Sequence, residues 1–295
     1  MNSRLIGVAL LAIALFVPGA ALAKIRVAAS TTDLASIANT VGGDQVEVFS
    51  LARPGSDPHR VETLPSYMIK VSRAQVYLKV GLSLDQWADA IVEGSRNDKV
   101  LKVDCSRGVN VLERPTGKVD ASMGDVHPEG NPHYWLDPRN AGPVARDIAD
   151  GLAKVDPAHA ADFHARAEAF AKEATAAWEK GRASLAGLPS HAIFTYHRSW
   201  SYLADAFGLD VVATVEPVPG IPPTARHLAE LVQTAKTTRV AALIAEPYFS
   251  ADPGKFLARE AGVKVITLSS SCDGPEAGSY LAHIQAVLAA LAGAR

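Results

Sequence analysis

Short apolar, β-branched runs alternate along the chain with longer segments of helical hydrophobic spacing. In the first half the apolar runs predict four strands, Ile25–Ala29, Val46–Leu51, Val76–Val80 and Val100–Val103. Between them lie three predicted helices, Leu34–Val41, Pro65–Arg73 and Leu84–Glu93. The second half repeats this alternation with predicted strands at Ala192–Tyr196, Val211–Val215, Val240–Ala245 and Val263–Leu268. Strands that alternate with helices indicate an α/β protein, here with two lobes that each contain a mainly parallel four-stranded sheet.

The segment between the two halves has a different pattern. Asn140–Ala153 predicts one helix, and Asp156 followed by Pro157 is typical of the start of another. From there to Leu185 the only Pro or Gly is Gly181. At 1.5 Å per residue, about 28 helical residues span roughly 42 Å, more than one lobe. We therefore predict a first lobe over 24–154, a long rigid linking helix over 155–187 that limits domain motion, and a second lobe over 188–295.

The first 23 residues predict the compartment. Arg4 precedes an apolar run, Leu5–Val17, and Ala21-Leu22-Ala23 forms an A-x-A cleavage site. This pattern is typical of a cleavable secretory signal peptide, and the apolar stretch is short for the alternative, a transmembrane anchor. No cysteine lies near the predicted cleavage point. We therefore expect a free periplasmic protein without a lipid anchor.

Composition excludes several classes of function. Hydrophobic residues make up 48% of the 295 residues and charged residues 20%, as in soluble globular proteins. The 29 Lys+Arg against 31 Asp+Glu leave no basic excess, which argues against nucleic acid as a partner. Two cysteines are too few for a zinc knuckle built from cysteines.

Metal-capable side chains follow predicted strand ends or stand in loops stiffened by Pro and Gly. They are His59, His133, His197 and Asp273, two from each half. Ligands of open parallel sheets bind beyond the carboxyl ends of the strands, so we expect these residues to face one cleft between the lobes. Imidazole nitrogens and a carboxylate suit Zn²⁺. Each residue alone is more often a hydrogen-bonded or turn residue, and spacing by itself leaves both interpretations open.

Four short motifs add a family resemblance. They are Pro58-His59-Arg60-Val61-Glu62, Asn131-Pro132-His133-Tyr134-Trp135-Leu136-Asp137-Pro138, Tyr196-His197 and Asp273-Gly274. Over almost its whole length the chain resembles the zinc/manganese solute-binding proteins of bacterial ABC transporters. The resemblance implies that His59, His133, His197 and Asp273 are metal ligands.

The residue at the third ligand position indicates which metal is bound. Zinc members of the resembled family carry histidine there and manganese members tend to carry a carboxylate, so His197 implies Zn²⁺, with manganese or iron as the alternative. The resemblance further implies a monomer that delivers the ion to an ABC membrane permease, with a periplasmic metallochaperone as a further partner. It implies no enzymatic activity. A zinc hydrolase and a surface adhesin are the competing functions, but the sequence shows no HExxH helix, nucleophile elbow or wall anchor.

Three features around the predicted site leave alternatives open. The segment Gly117–Asn131, with His127, is either a loop that captures the ion or covers the cleft, or a polar connector. A disulfide between Cys105 and Cys272 is expected because export disfavours a free thiol, and two unpaired thiols are the alternative, since the sequence does not establish the geometry. A ligating histidine usually donates its other ring N–H to an oxygen atom, and the candidate acids are Glu62, Asp137 and Glu246.

Overall fold

The computed structural model describes residues 23–120 and 123–293. The predicted signal peptide lies outside these ranges except for its last residue. The strands are β1 Ile25–Ala29, β2 Val46–Ser50, β3 Val76–Lys79, β4 Leu101–Asp104, β5 Ala192–Thr195, β6 Asp210–Thr214, β7 Ala242–Ala245 and β8 Val265–Thr267. The helices are α1 Thr32–Gly42, α2 Pro65–Val71, α3 Trp87–Gly94, α4 Ala141–Val155, α5 Ala160–Leu185, α6 Ser201–Phe207, α7 Ala225–Thr237, α8 Asp252–Ala261 and α9 Ser279–Ala292.

The strands form two separate four-stranded sheets. The first has the order β2-β1-β3-β4 and the second the order β6-β5-β7-β8, and every neighbouring pair within them is parallel. The two lobes therefore share one topology, as the alternating pattern predicts. Each predicted strand begins and ends within two residues of an observed one. The predicted α/β architecture is confirmed.

The predicted long helix is present as α5. A short 3-10 turn, Pro157–His159, precedes it, and the Asp156 carboxylate bonds the His159 ring at 2.6 Å rather than capping a backbone N–H. The residues that α5 buries recur at helical spacing: Phe163, Ala167, Phe170, Ala174, Gly181 and Leu185. Through this stripe the helix packs against α1 and α4 of the first lobe and α6 and α9 of the second.

The inner faces of the two sheets share one hydrophobic core with α5. This core contains Val27 and Leu78 from the first sheet, Ile193 and Ile244 from the second, and Phe170 from α5. Because apolar contact continues from lobe to lobe, separating the lobes would expose buried hydrocarbon to water. In the described part of the chain, no helix combines the length and apolarity needed to cross a membrane.

The expected disulfide is wrong for this structure, in which Cys105 and Cys272 are both buried free thiols. Cys105 follows the edge strand β4, whereas Cys272 lies against Thr32, which follows the inner strand β1. The strand β3 separates these two positions, and neighbouring strands are about 4.8 Å apart. A disulfide needs Cα atoms within roughly 7 Å, so the topology keeps the thiols apart.

Candidate metal centre

Three of the four predicted ligands converge at one point between the lobes. His59 lies in the loop between β2 and α2, His133 directly precedes a 3-10 turn before α4, and His197 follows β5. Their ligand atoms all lie within 4.8 Å of one another. The three ring centroids are 5.0, 5.2 and 5.5 Å apart. Two loops of the first lobe and one of the second thus present imidazoles to a common volume.

His59 and His133 are oriented by the same local hydrogen-bonding pattern. The Asp57 carboxylate accepts from both the backbone N–H and ring Nδ1 of His59, each at 2.9 Å. The Asn131 side chain accepts from the same two groups of His133, at 3.0 and 2.9 Å. Both segments read Asx-Pro-His, and the proline fixes the backbone between the acceptor and the ring. Each histidine is therefore oriented by the residue two positions before it.

The third histidine is oriented from a different loop. Glu216, which follows β6, accepts from His197 Nδ1 at 2.7 Å, and the same carboxylate oxygen accepts from the Gly220 N–H at 2.9 Å. Burial on its own would lower the pKa of His197, but the hydrogen bond and charge of Glu216, with the charge of Glu246, raise it above its usual value. His197 and Glu216 are each 5% exposed, so this hydrogen bond is buried.

With Nδ1 engaged, the remaining nitrogen of each ring is available to a metal ion. Nε2 of His59 and Nε2 of His133 are buried and have no hydrogen-bond partner among the described residues. Buried polar atoms in native proteins are almost always paired, so atoms of this kind that point at one volume indicate a bound cation. Burial, followed by the neighbouring histidines, holds the pKa of His133 well below its usual value, which keeps the ring neutral and able to coordinate.

The space in front of the rings is small. A pocket of about 50 Å³ lies against two of the rings, those of His133 and His197, and its lining also includes Arg198, Asn131 and Glu113. This volume admits an ion with one or two waters rather than an organic substrate.

The fourth predicted ligand is not part of the cluster. Asp273 is exposed, and its carboxylate lies outside the group of histidine nitrogens. Its segment is nevertheless close to the site, because Trp135 donates to the Ser270 carbonyl at 2.6 Å while its ring lies 5.3 Å from that of His133. The structure therefore places the chain three residues before Asp273 next to the centre, while the Asp273 side chain itself is exposed.

The described residues 125–127 of the segment Gly117–Asn131 lie beside the site. The His127 ring stacks on that of His59 at 5.4 Å, and its Nε2 is buried without a partner in the described ranges. Burial, and then the charges of His59 and His197, lower the pKa of His127 to about 4. Asp125 N–H also bonds the Pro219 carbonyl of the second lobe at 2.9 Å. This part of the segment bonds to the second lobe and adds a fourth imidazole beside the cluster.

The three predicted supporting acids do not contact the ligands. Glu62 is exposed, and Asp137 pairs with Arg139. Glu246 accepts from Ser199 and Trp200, and burial raises its pKa to about 7. The residues that orient the histidines are instead Asp57, Asn131 and Glu216. The repeated Asx-Pro-His motif could have identified the first two, but no local pattern pointed to Glu216.

Comparison with known proteins agrees with this geometry. A family model described as "Zinc-uptake complex component A periplasmic" matches residues 27–294. The chain is 26% identical over 264 residues to a "Putative metal-binding protein" of Treponema pallidum, which covers 87% of this chain and 83% of the relative. It is 27% identical to the "Iron-binding protein YfeA" of Yersinia pestis over 82% of this chain and 75% of that protein.

A solved structure of ZnuA superposes with a TM-score of 0.79 at 27% identity, covering 92% of this chain and 99% of that one. The family resemblance read from the motifs is thereby confirmed, as is the expectation that the protein is not an enzyme. The chain belongs to the zinc-uptake complex component A family, ZnuA, the periplasmic metal-binding solute-binding proteins of ABC transporters.

Proposed function

We propose that this protein captures Zn²⁺ in the periplasm and delivers it to the permease of an ABC importer. The observation that carries the proposal is the convergence of His59, His133 and His197 within 4.8 Å. A hydrogen bond orients each ring through Nδ1, which is the arrangement that prepares a histidine to bind metal through Nε2. Binding and release of the ion, without bond-breaking chemistry, is what such a centre can do.

The donor set favours zinc over the other metals bound by related proteins. Three imidazoles form a nitrogen-rich set, and Mn²⁺ prefers oxygen ligands. Iron is the competing cargo, because one similar protein is named as iron-binding. The Irving–Williams order places Zn²⁺ above Fe²⁺ and Mn²⁺ at a site of nitrogen ligands.

Asp273 is our proposed fourth ligand. It directly follows Cys272, and turning its side chain toward the histidines would complete a tetrahedral set with one carboxylate. His127 is the competing fourth ligand, because its free Nε2 already faces the same region. Comparing Asp273→Ala with His127→Ala separates the two, since only loss of the true ligand should weaken zinc binding strongly.

Metal titration tests the proposal. The metal-stripped mature protein is titrated with Zn²⁺, Mn²⁺ and Fe²⁺ against a chromophoric chelator, and purified protein is analysed for bound elements. We expect one zinc ion per chain and a loss of at least about 100-fold in affinity for His197→Ala, more than removal of a supporting residue causes. His164→Ala, an exposed histidine on α5, is the matched control. Tighter binding of Mn²⁺ or Fe²⁺ than of Zn²⁺ would contradict zinc as the cargo.

The partners follow from the same proposal. Solute-binding proteins of ABC transporters work with a membrane permease and an ATPase, and we propose the permease as the recipient of the ion. We further propose a periplasmic metallochaperone as donor, a monomeric state, no lipid anchor and no role for nucleic acid. Sedimentation with and without zinc should give one monomeric species, and intact mass of exported protein should match cleavage after Ala23 with no lipid added.

A further inference from the structure

The helix α1 of the first lobe is hydrogen-bonded to a segment of the second lobe. Six hydrogen bonds join α1 to residues 272–280. Thr32 Oγ1 donates to the Cys272 carbonyl at 2.8 Å, and Asp33 Oδ1 accepts from the Cys272 N–H at 3.1 Å. Ser36 Oγ donates to the Glu276 carbonyl at 2.7 Å. Both backbone groups of the residue that precedes Asp273 are therefore held by the opposite lobe.

The remaining contacts continue along the same face of α1. Asn39 Nδ2 donates to the Pro275 carbonyl at 2.6 Å, and Thr40 Oγ1 accepts from the Gly278 N–H at 3.3 Å. The polar residues Thr32, Ser36, Asn39 and Thr40 recur at helical spacing and so form one stripe. The opposite face of the helix is apolar and belongs to the shared core. The stripe is thus a dedicated contact between lobes.

Asp33 is a fully buried acid within this contact. Its side chain is 0% exposed, and its Oδ2 has no hydrogen-bond partner in the part of the chain that is described. An acid buried with one oxygen unpaired destabilises the fold unless its other contacts compensate. Asp33 Oδ1 accepts from the backbone N–H beside Asp273, and the Ser271 side chain and His283 are further polar neighbours of this acid.

The turn that carries Asp273 is also closed internally. The Cys272 thiol donates to the Gly274 carbonyl at 3.2 Å, so the residues on both sides of Asp273 are bonded to each other. Cys272 and Gly274 are buried while Asp273 is exposed at the tip. Hydrogen bonds therefore hold the backbone on both sides of Asp273, whose own side chain is exposed.

We propose that the polar stripe of α1 is a clasp that positions Asp273 for the metal ion. The inference rests on the proposed function, in which Asp273 is the fourth ligand. The clasp fixes that residue of the second lobe against the lobe that supplies His59 and His133. Holding the turn in place before the ion arrives reduces the ordering that binding must impose, which raises affinity. Ser36 and Asn39 are positioning residues in this scheme and do not touch the ion.

A double-mutant cycle tests the clasp. Zinc affinity is measured for Ser36→Ala and Asn39→Ala, each in the native chain and in an Asp273→Ala background. Asn39→Ala loses one hydrogen bond and should weaken zinc binding by roughly three- to tenfold in the native chain. Ser36→Ala loses two hydrogen bonds, to the Glu276 carbonyl and from the Tyr280 N–H, and should weaken it at least as much. In the Asp273→Ala background the same substitutions should change affinity by less than about twofold, since interacting residues are not additive.

Controls separate positioning from general damage. Ser184→Ala removes a serine hydroxyl from α5, where it bonds only the Gly181 carbonyl of its own helix, and should leave zinc affinity unchanged. Asn39 is half-buried, so Asn39→Ala should fold, which circular dichroism and thermal unfolding verify. Equal losses of affinity with and without Asp273 would overturn the clasp.

The single substitutions test separately whether Asp273 is a ligand. If Asp273→Ala alone binds zinc as tightly as the native chain while His197→Ala does not, the three-histidine centre stands. Asp273 is then not a ligand, and the clasp proposal fails with it. If neither substitution changes zinc affinity, the proposed function itself fails.

Discussion

Glu216 accepts a 2.7 Å hydrogen bond from Nδ1 of His197, although the two residues come from loops that follow different strands. The parallel pairing of β5 with β6 brings these loops together at one end of the second sheet. The carboxylate therefore fixes which ring nitrogen of His197 faces the metal.

Removing the support of His197 should weaken zinc binding. We expect Glu216→Ala to lower zinc affinity by about 10- to 100-fold, the usual effect of losing a residue that orients a ligand. Glu216→Gln retains an oxygen acceptor and should lose less. Competition titration measures both, with Glu230→Gln, an exposed glutamate on α7, as control. Unchanged affinity in Glu216→Ala would show that His197 needs no partner.

Zinc affinity should depend on pH through His197. Its pKa is raised by Glu216, so protons compete with zinc at a higher pH than for an ordinary histidine, and affinity falls as pH drops through that pKa. Glu216→Gln removes the negative charge and should move this loss to lower pH. Dissociation constants measured from about pH 8 to about pH 5 provide the profile. Affinity that stays constant across this range would contradict a three-histidine site.

The side-chain oxygen of the Asx-Pro-His turn that contains His59 should contribute to zinc affinity. Asp57→Ala leaves the ring and backbone N–H of His59 without a partner, and we expect a loss of about 10-fold or more in zinc affinity. Asp57→Asn keeps an acceptor and should remain within about threefold, since a single hydrogen-bond difference is small. Ser56→Ala, in the same turn, is the control. Equal losses for the Asn and Ala variants would assign the role to charge instead.

The two thiols should be free and protected. Burial raises the pKa of Cys105 and of Cys272 well above that of an ordinary thiol, which suppresses the reactive thiolate. A thiol-specific chromogenic reagent should therefore titrate no group in the native protein and both groups after unfolding. Reducing agent should leave the unfolding temperature unchanged. If fewer than two thiols react in denaturant, the prediction of a disulfide between Cys105 and Cys272 would be supported instead.

The helix α5 packs so closely against the second lobe at Gly181 that an added methyl group should be unfavourable there. A Cβ at Gly181 would lie 2.6 Å from atoms of both Phe207 and Leu288. Alanine improves helix propensity by about 1 kcal/mol, but overpacking costs about 1–3 kcal/mol, so Gly181→Ala should be neutral to destabilising by up to about 2 kcal/mol. Urea unfolding measures this against Lys180→Ala, an exposed neighbour. Adding Leu288→Ala should make the Gly181→Ala change more favourable if the clash is real.

Hydrophobic spacing determined the architecture because it records which face of each element is buried. The alternation of apolar runs and helical segments gave all eight strands of the described residues, and the Ala-rich stretch before Leu185 gave α5. His59, His133 and His197 stood out because they follow predicted strand ends or lie in loops stiffened by Pro and Gly, and the family resemblance implied them as ligands.

The tertiary structure alone decided how the loops meet. The pairing of Glu216 with His197, the hydrogen bonds of α1 to Cys272 and the exposure of the Asp273 side chain each depend on segments far apart in the chain. The separation of Cys105 from Cys272 follows from the strand order, which places β3 between β1 and β4. Periodicity in a sequence reports which residues of a helix or strand are buried. Contacts between loops depend on how the complete lobes pack, and no local sequence pattern encodes which distant loops will meet.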